Sequence, residues 1–199
     1  MHLQSWQVRA GLMFAVSSLF ACGGLGVDVG EPPSPQPEET GQTAQRLVTL
    51  VTCPVGVATN RFTPPLRNTP QDVVVSGSNE LSNCYSVLGD PVTSASRPSF
   101  SALFPHYSCL SLVESGPSTA VFTWNTGETS TFTFTRLTTR VEGLLFVLTH
   151  VGTVSAGKFE GATAVRATSI LATDLEACGS PEGLSEMTGA TTLTLTKLL

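Results

Sequence analysis

The chain has 199 residues, of which 41% are hydrophobic and 13% are charged, and its formal net charge is -5. The ten Lys and Arg residues are scattered and form no basic stripe that could neutralise phosphates, which argues against nucleic-acid binding. Thr, Val, Ser and Gly are abundant. Because β-branched residues favour strands and Gly and Pro favour turns, the composition predicts an all-β protein.

The first residues have the features of an export signal. Arg9 precedes an apolar run, AGLMFAVSSLFA, that ends immediately before Cys22. A run of about a dozen apolar residues matches the hydrophobic region of a signal peptide, whereas a membrane-spanning helix needs about 20. The sequence therefore predicts a signal peptide over residues 1–21.

The four residues Leu19-Phe20-Ala21-Cys22 resemble the lipobox of bacterial lipoprotein precursors. The resemblance implies cleavage between Ala21 and Cys22 and attachment of a diacylglyceryl group to the Cys22 thiol. Since each buried CH₂ contributes about 0.8 kcal/mol, two or three acyl chains such as palmitate would hold the protein on a membrane. Gly23, at the next position, implies sorting to the outer membrane. Secretion without an anchor is the alternative.

The remainder of the chain divides into a tether and a domain. Over residues 22–45, Gly and Pro interrupt any regular period and acidic side chains favour solvation, which predicts an extended tether after the lipidated cysteine. Residues 46–199 have the usual size of one domain and can bury a substantial core.

The five cysteines are consistent with export. If Cys22 is lipidated, four cysteines remain, and an oxidising compartment would pair them as two disulfides. Among the three possible pairings we favour Cys53–Cys84 and Cys109–Cys178, because the first links early strands and the second joins a middle strand to the last loop. Since the sequence has no C-x-x-C and no nearby paired histidines, no zinc or other metal site is expected.

Period-two alternation and turn signals predict eight strands in the domain, and no segment after residue 46 has a convincing helical period. Asn125-Thr126-Gly127-Glu128 and Glu142-Gly143 are typical hairpin loops, so the second half is expected to be an antiparallel meander. We expect an antiparallel β-sandwich, with a closed up-and-down β-barrel as the alternative. The predicted strands are Leu47–Thr52, Asp72–Ser76, Ser99–Phe104, Thr119–Trp124, Thr129–Val141, Leu144–Val154, Ala162–Leu171 and Thr191–Thr196.

Aromatic residues of the meander predict the core. Phe122 and Trp124 share one face of their strand, and Phe132 and Phe134 share one face of the next. The apolar positions then change phase, which predicts a β-bulge near Thr135–Arg136. If these bulky side chains all face inward, they argue for a filled interior.

Three segments of the domain resemble parts of short exported β-proteins from myxobacteria and actinobacteria. They are TWNTGETSTFTFT at 123–135, GKFEGATAV at 157–165 and DLEACGSPEGLSEMTGATTLTLT at 174–196. The resemblance implies export and a β fold, and it implies no particular chemistry.

Few residues suggest catalysis. His106 and His150 are the histidines of the domain and could serve as a general base or a metal ligand, but we favour bonding to backbone or water. Ser155-Ala156-Gly157-Lys158 matches the S-x-x-K pattern of penicillin-recognising enzymes, although it lies at a predicted turn rather than on a helix. The other familiar catalytic and phosphate-binding motifs are absent from the sequence. We therefore expect no catalytic residue and no cofactor.

These patterns predict a non-enzymatic lipoprotein of the cell envelope with a binding or structural β-domain. The membrane, reached through acyl chains on Cys22, is the one partner indicated. A small-ligand carrier is the first alternative, and an empty interior pocket above about 300 Å³ would favour it. A hydrolase is the second alternative. It would need His106 or His150 within hydrogen-bond reach of a carboxylate and a serine.

Overall fold

A computed structural model describes residues 46–89, 91–114 and 116–199. The signal peptide expected over residues 1–21, the lipidation site at Cys22 and the tether over residues 22–45 lie outside the described residues. Ten strands of the described part form one antiparallel sheet. They are β1 (Leu47–Cys53), β2 (Val55–Leu66), β3 (Gln71–Ser82), β4 (Tyr85–Ser86), β5 (Ala95–Tyr107), β6 (Ser118–Trp124), β7 (Thr129–Glu142), β8 (Leu145–Gly157), β9 (Thr163–Leu171) and β10 (Leu184–Leu198).

The sheet closes into a barrel. Strands β2, β3, β5, β6, β7, β8, β9 and β10 are neighbours in that order, and the first half of β10 pairs with β2 to complete the ring. The second half of β10 pairs with β1, and β4 adds to β1. The all-β prediction is confirmed, and the architecture is the closed barrel rather than the sandwich. With 15 residues, β10 is long enough to pair with β2 and then β1 while β9 covers its other edge.

Each of the eight predicted strands overlaps an observed one, but β2 and β4 were not predicted. The prolines Pro64 and Pro65 within β2 lower its strand propensity. The segment is nevertheless part of the sheet because it pairs with β3 and β10. Two short helical segments, α1 (Cys109–Val113) and α2 (Ala172–Glu176), were not predicted, because a single turn is too short to show a helical period. A 3-10 turn, Ala177–Gly179, follows α2. Nowhere in the described ranges is there a helix with the length and apolar character to span a membrane.

Apolar side chains form two clusters, one toward each end of the barrel. The first contains the four aromatic residues predicted to share the core, Phe122, Trp124, Phe132 and Phe134, each at most 2% exposed. The second is built from β2, from the opposite ends of β3, β9 and β10 and from the helical segments, and its members include Phe62, Leu66, Ile170, Leu184 and Met187. The interior is therefore packed at both ends.

One disulfide lies in each cluster. Cys53–Cys84 joins the end of β1 to the residues that follow β3, and Cys109–Cys178 joins α1 to the 3-10 turn. These are the two pairs favoured from the sequence. Sequence separations of 31 and 69 residues correspond to about 3–4.5 kcal/mol of stabilisation each by loss of chain entropy in the unfolded state.

A β-bulge interrupts β7 where the phase change predicts it. The register between β7 and β8 shifts between Phe134 and Arg136. Gly152 pairs with Phe134 at this point, and a Cβ on Gly152 would collide with the carbonyl oxygen of Thr133. The glycine therefore permits the close approach of the two backbones at the bulge.

Candidate functional site

The wall of the barrel is open between β5 and β6. Within the described ranges these strands pair where Ala95 and Ser96 lie opposite Trp124 and Thr123, and the rest of β5 pairs with β3 on its other edge. Residues 101–106 of β5 are exposed on both faces of the strand. The inner face of β5 is therefore reachable from outside through the side of the barrel.

Behind this opening is a cavity of about 460 Å³, which we call the barrel cavity. Its volume lies within the range of about 300–1,000 Å³ typical of small-ligand sites. The aromatic residues do face inward, but they fill one end of the barrel rather than its whole interior. The expectation of a filled interior is therefore wrong. The cavity exceeds the volume of about 300 Å³ that would favour a small-ligand carrier. Apolar lining residues include Phe62, Val75, Phe100, Phe104, Phe134 and Leu148.

Three basic side chains line the same cavity. Arg97 comes from β5, His150 from β8 and Arg166 from β9. His150 and Arg166 are directly paired in the β8–β9 ladder, and Arg97 is paired with Asn79 in the β3–β5 ladder. Because side chains alternate between faces along a strand, each pair projects into the barrel together.

Aromatic rings support both guanidinium groups. The guanidinium carbon of Arg97 lies 3.7 Å from the centroid of the Phe100 ring, and that of Arg166 lies 4.8 Å from the centroid of Phe134. The ring of Phe134 also contacts the His150 imidazole edge to face, with 5.6 Å between the ring centroids. These cation–π and aromatic contacts hold the basic side chains in place.

The two arginines of the cavity have no counter-ion among the described residues. Ion pairs found in the described part of the chain involve other cations, and no carboxylate lines the cavity. Those pairs are Arg61–Glu186, Arg140–Glu142 and Lys158–Glu128. The cavity therefore carries positive charge that the described residues do not balance.

Several enclosed polar atoms of this region also lack hydrogen-bond partners. They are Nε of Arg166, Nδ1 of His150 and Oδ1 of Asn79. The other buried polar side chains of the described part of the barrel have hydrogen-bond partners. For example, the indole N–H of Trp124 donates to the Ser130 hydroxyl at 2.8 Å. Since buried polar groups are ordinarily bonded, these three atoms, which lack partners among the described residues, mark the cavity as the candidate site.

The environment changes how these groups titrate. Burial, together with repulsion from Arg97, lowers the pKa of Arg166 to about 10. Burial, together with repulsion from Arg166, lowers the pKa of His150 to about 4. Burial also lowers the pKa of Arg97. At neutral pH the cavity therefore holds two guanidinium cations and a neutral imidazole.

The structure separates the two histidines singled out in the sequence. His106 is exposed near the end of β5, where its φ is 52° and its backbone N–H donates to the Asp72 carboxylate at 3.2 Å. His150 faces the cavity, where it has arginine rather than carboxylate neighbours. The carboxylate that a hydrolase would need is therefore not placed beside His150 in the described part of the chain.

The S-x-x-K segment does not form a Ser–Lys pair. Ser155 is exposed on β8 and donates to the carbonyl oxygen of Thr131 at 3.2 Å, whereas Lys158 pairs with Glu128. The described residues also contain no group of three or more His, Cys, Asp or Glu that could hold a metal ion.

Sequence reasoning did not identify Arg97 and Arg166. One signal was present for Arg166. It lies two residues from both Ala164 and Thr168 along β9, so it is on the same, inward face of the strand. No local signal marks Arg97, since a register shift in the β3–β5 ladder separates it from Phe100.

Comparison with protein-family models, with curated proteins and with solved structures finds no match for this chain. The fold and the site define a disulfide-braced, closed antiparallel β-barrel with a side opening into a cavity. That cavity is apolar over much of its surface and carries positive charge from Arg97 and Arg166, which come from opposite sides of the barrel.

Proposed function

We propose that the domain binds a small, largely apolar molecule in the barrel cavity and serves as a non-enzymatic carrier in the cell envelope. The observation that carries the proposal is the cavity of about 460 Å³ between two packed clusters. Atoms that line an apolar cavity make fewer dispersion contacts with the protein than atoms of a packed core. A ligand of matching size restores those contacts, so the cavity favours binding.

The opening between β5 and β6 supplies a route to the cavity. Phe104, which lines the cavity, is 39% exposed, so an apolar ligand would meet apolar surface as it enters. Entry through the side leaves both end clusters and both disulfides undisturbed. A barrel of this kind can exchange a ligand without unfolding.

The envelope location is supported by two features. Both disulfides of the domain are typical of proteins exported to an oxidising compartment. The lipobox-like segment Leu19–Cys22 supports an anchor on Cys22 in the outer membrane, with secretion as the alternative.

The proposal can be tested with a bulky side chain at the opening. Ala102 lines the cavity, and the neighbouring Ser101 lies on the opposite face of β5. The full-length protein is titrated with N-phenyl-1-naphthylamine, a neutral probe whose fluorescence rises in apolar surroundings. Ala102→Trp is expected to weaken binding by about tenfold or more, equivalent to about 1.4 kcal/mol.

Ser101→Trp is the matched control, because it adds the same side chain to the outside of the same strand. It is expected to bind the probe like the unaltered protein. No saturable binding by the unaltered protein, or equal binding by both variants, would show that the cavity is not the ligand site.

A further inference from the structure

The barrel cavity contains positive charge that the described residues do not neutralise. Arg97 and Arg166 both line it, and no carboxylate of the described ranges does. Moving a charged group out of water without a partner is costly, and buried charges in proteins are ordinarily paired. Two cations that repel each other in one cavity are therefore unfavourable, and an anion placed between them would relieve the repulsion.

The polar side-chain atoms that Arg97, His150 and Arg166 present to the cavity make no hydrogen bonds to each other. Nε of Arg166 and Nδ1 of His150 are enclosed and unpartnered. Arg97 lies over the face of Phe100, and stacking of this kind leaves the N–H groups at the edge of a guanidinium free to donate. The two arginines thus offer N–H donors to the cavity from opposite sides of the barrel.

We infer that the ligand is an amphiphile with a carboxylate head, which binds to Arg166 and Arg97 while its apolar tail fills the cavity beside Phe62 and Phe134. The inference rests on the proposed binding function and specifies the chemistry of its ligand. A planar carboxylate accepts two parallel hydrogen bonds from one guanidinium, which gives both strength and orientation. Neutral His150, beside Arg166 in the ladder, can supply a further hydrogen bond to the head.

The balance of charge favours a monoanion. Arg166 is the more deeply enclosed of the two arginines, whereas Arg97 lies next to the opening in the wall and keeps access to water. One negative charge therefore neutralises the guanidinium whose Nε is enclosed.

The cavity volume sets the length of the tail. A water-sized group occupies about 30 Å³, so a cavity of about 460 Å³ holds about 15 such groups. A carboxylate with a tail of about a dozen carbons fits this space. Dodecanoate and dodecanol are therefore a matched pair of probes, since they share a tail and differ in the charge of the head.

The test measures displacement of N-phenyl-1-naphthylamine from the full-length protein at neutral pH, with dodecanoate below its micelle-forming concentration. Dodecanoate is expected to displace the probe at a concentration at least about tenfold lower than dodecanol. Arg166→Gln and Arg97→Gln are each expected to reduce this preference by about tenfold, with each variant's displacement values corrected for its own affinity for the probe. Arg136→Gln, which alters an exposed arginine on β7, is the control and should keep the full preference.

The possible failures are distinguishable. Equal displacement by dodecanoate and dodecanol would overturn the carboxylate inference and leave the proposed apolar binding intact. If neither ligand displaces the probe, or the probe itself does not bind, the proposed function fails. Retained probe binding shows that a variant is folded. If Arg166→Gln does not fold, Arg97→Gln decides the question, and an unchanged preference in that variant would refute the inference.

Discussion

Replacing Arg166 with Met tests the central physical claim, that the cavity holds an uncompensated charge. Methionine is unbranched and similar in length to the apolar stem of arginine, and its sulfur can contact the ring of Phe134. The substitution therefore removes the charge while keeping much of the packing. We expect Arg166→Met to make the ligand-free protein more stable, which is unusual for a substitution of an enclosed residue.

The magnitude follows from the titration of Arg166. Lowering its pKa from the ordinary value to about 10 corresponds to about 3 kcal/mol of destabilisation of the charged form. Loss of the cation–π contact with Phe134 would offset about 1–2 kcal/mol of the gain. The expected net stabilisation is therefore about 1–2 kcal/mol, or about 3–6 °C in Tm for a domain of this size.

The assay is equilibrium unfolding in urea with the disulfides intact, followed through the fluorescence of the buried Trp124 and by circular dichroism. The midpoint should rise while the slope with urea stays constant. Arg136→Met, at an exposed position, is the control and should change stability by less than about 0.5 kcal/mol. A loss of more than about 1 kcal/mol in Arg166→Met would show that the charge is satisfied in the free protein, and the argument for an anionic ligand would fail with it.

Three further predictions concern other parts of the chain. The pKa of His150 is about 4 in the folded protein, so below about pH 6.5 the unfolded chain binds a proton that the barrel does not. The free energy of unfolding should fall by about 2 kcal/mol between pH 6.5 and 4 after allowance for partial exposure of His150. In His150→Leu, urea unfolding measured at each pH should show this part of the pH dependence lost. Gly152→Ala should lose about 3 kcal/mol or more, because its Cβ would collide with backbone at the bulge. Gly116→Ala, with open space around it, is the control, and equal urea midpoints for the two variants would contradict the steric argument. Cys22→Ser should move the protein from the membrane to the soluble fraction and remove the acyl mass from the intact protein, whereas membrane association in that variant would refute the anchor.

Much of the meander could be predicted because its signals are local. Phe122, Trp124, Phe132 and Phe134 alternate with polar residues, and alternation alone places them on one side of a sheet. The bulge near Arg136 was predictable for the same reason, since a change of phase is visible within one strand. Strand β2 could not be predicted, because its prolines weaken the local strand pattern. Its hydrogen bonds to β3 and β10, which are distant in the chain or hidden from local patterns, stabilise it as a strand.

The sequence by itself determined an all-β domain, the inward face of the two strands that carry the aromatic residues Phe122, Trp124, Phe132 and Phe134, and the presence of four cysteines in that domain. Tertiary structure alone decided that β10 pairs with β2 to close a barrel, that the wall stays open between β5 and β6, and that Arg97 and Arg166 line one cavity. The physical reason is that alternation along a strand specifies which side chains face inward but not what stands across from them. Which side chains face each other across a barrel depends on hydrogen bonds between strands that are far apart in the chain. The unbalanced charge arises only when the fold brings Arg97 and Arg166 into one cavity.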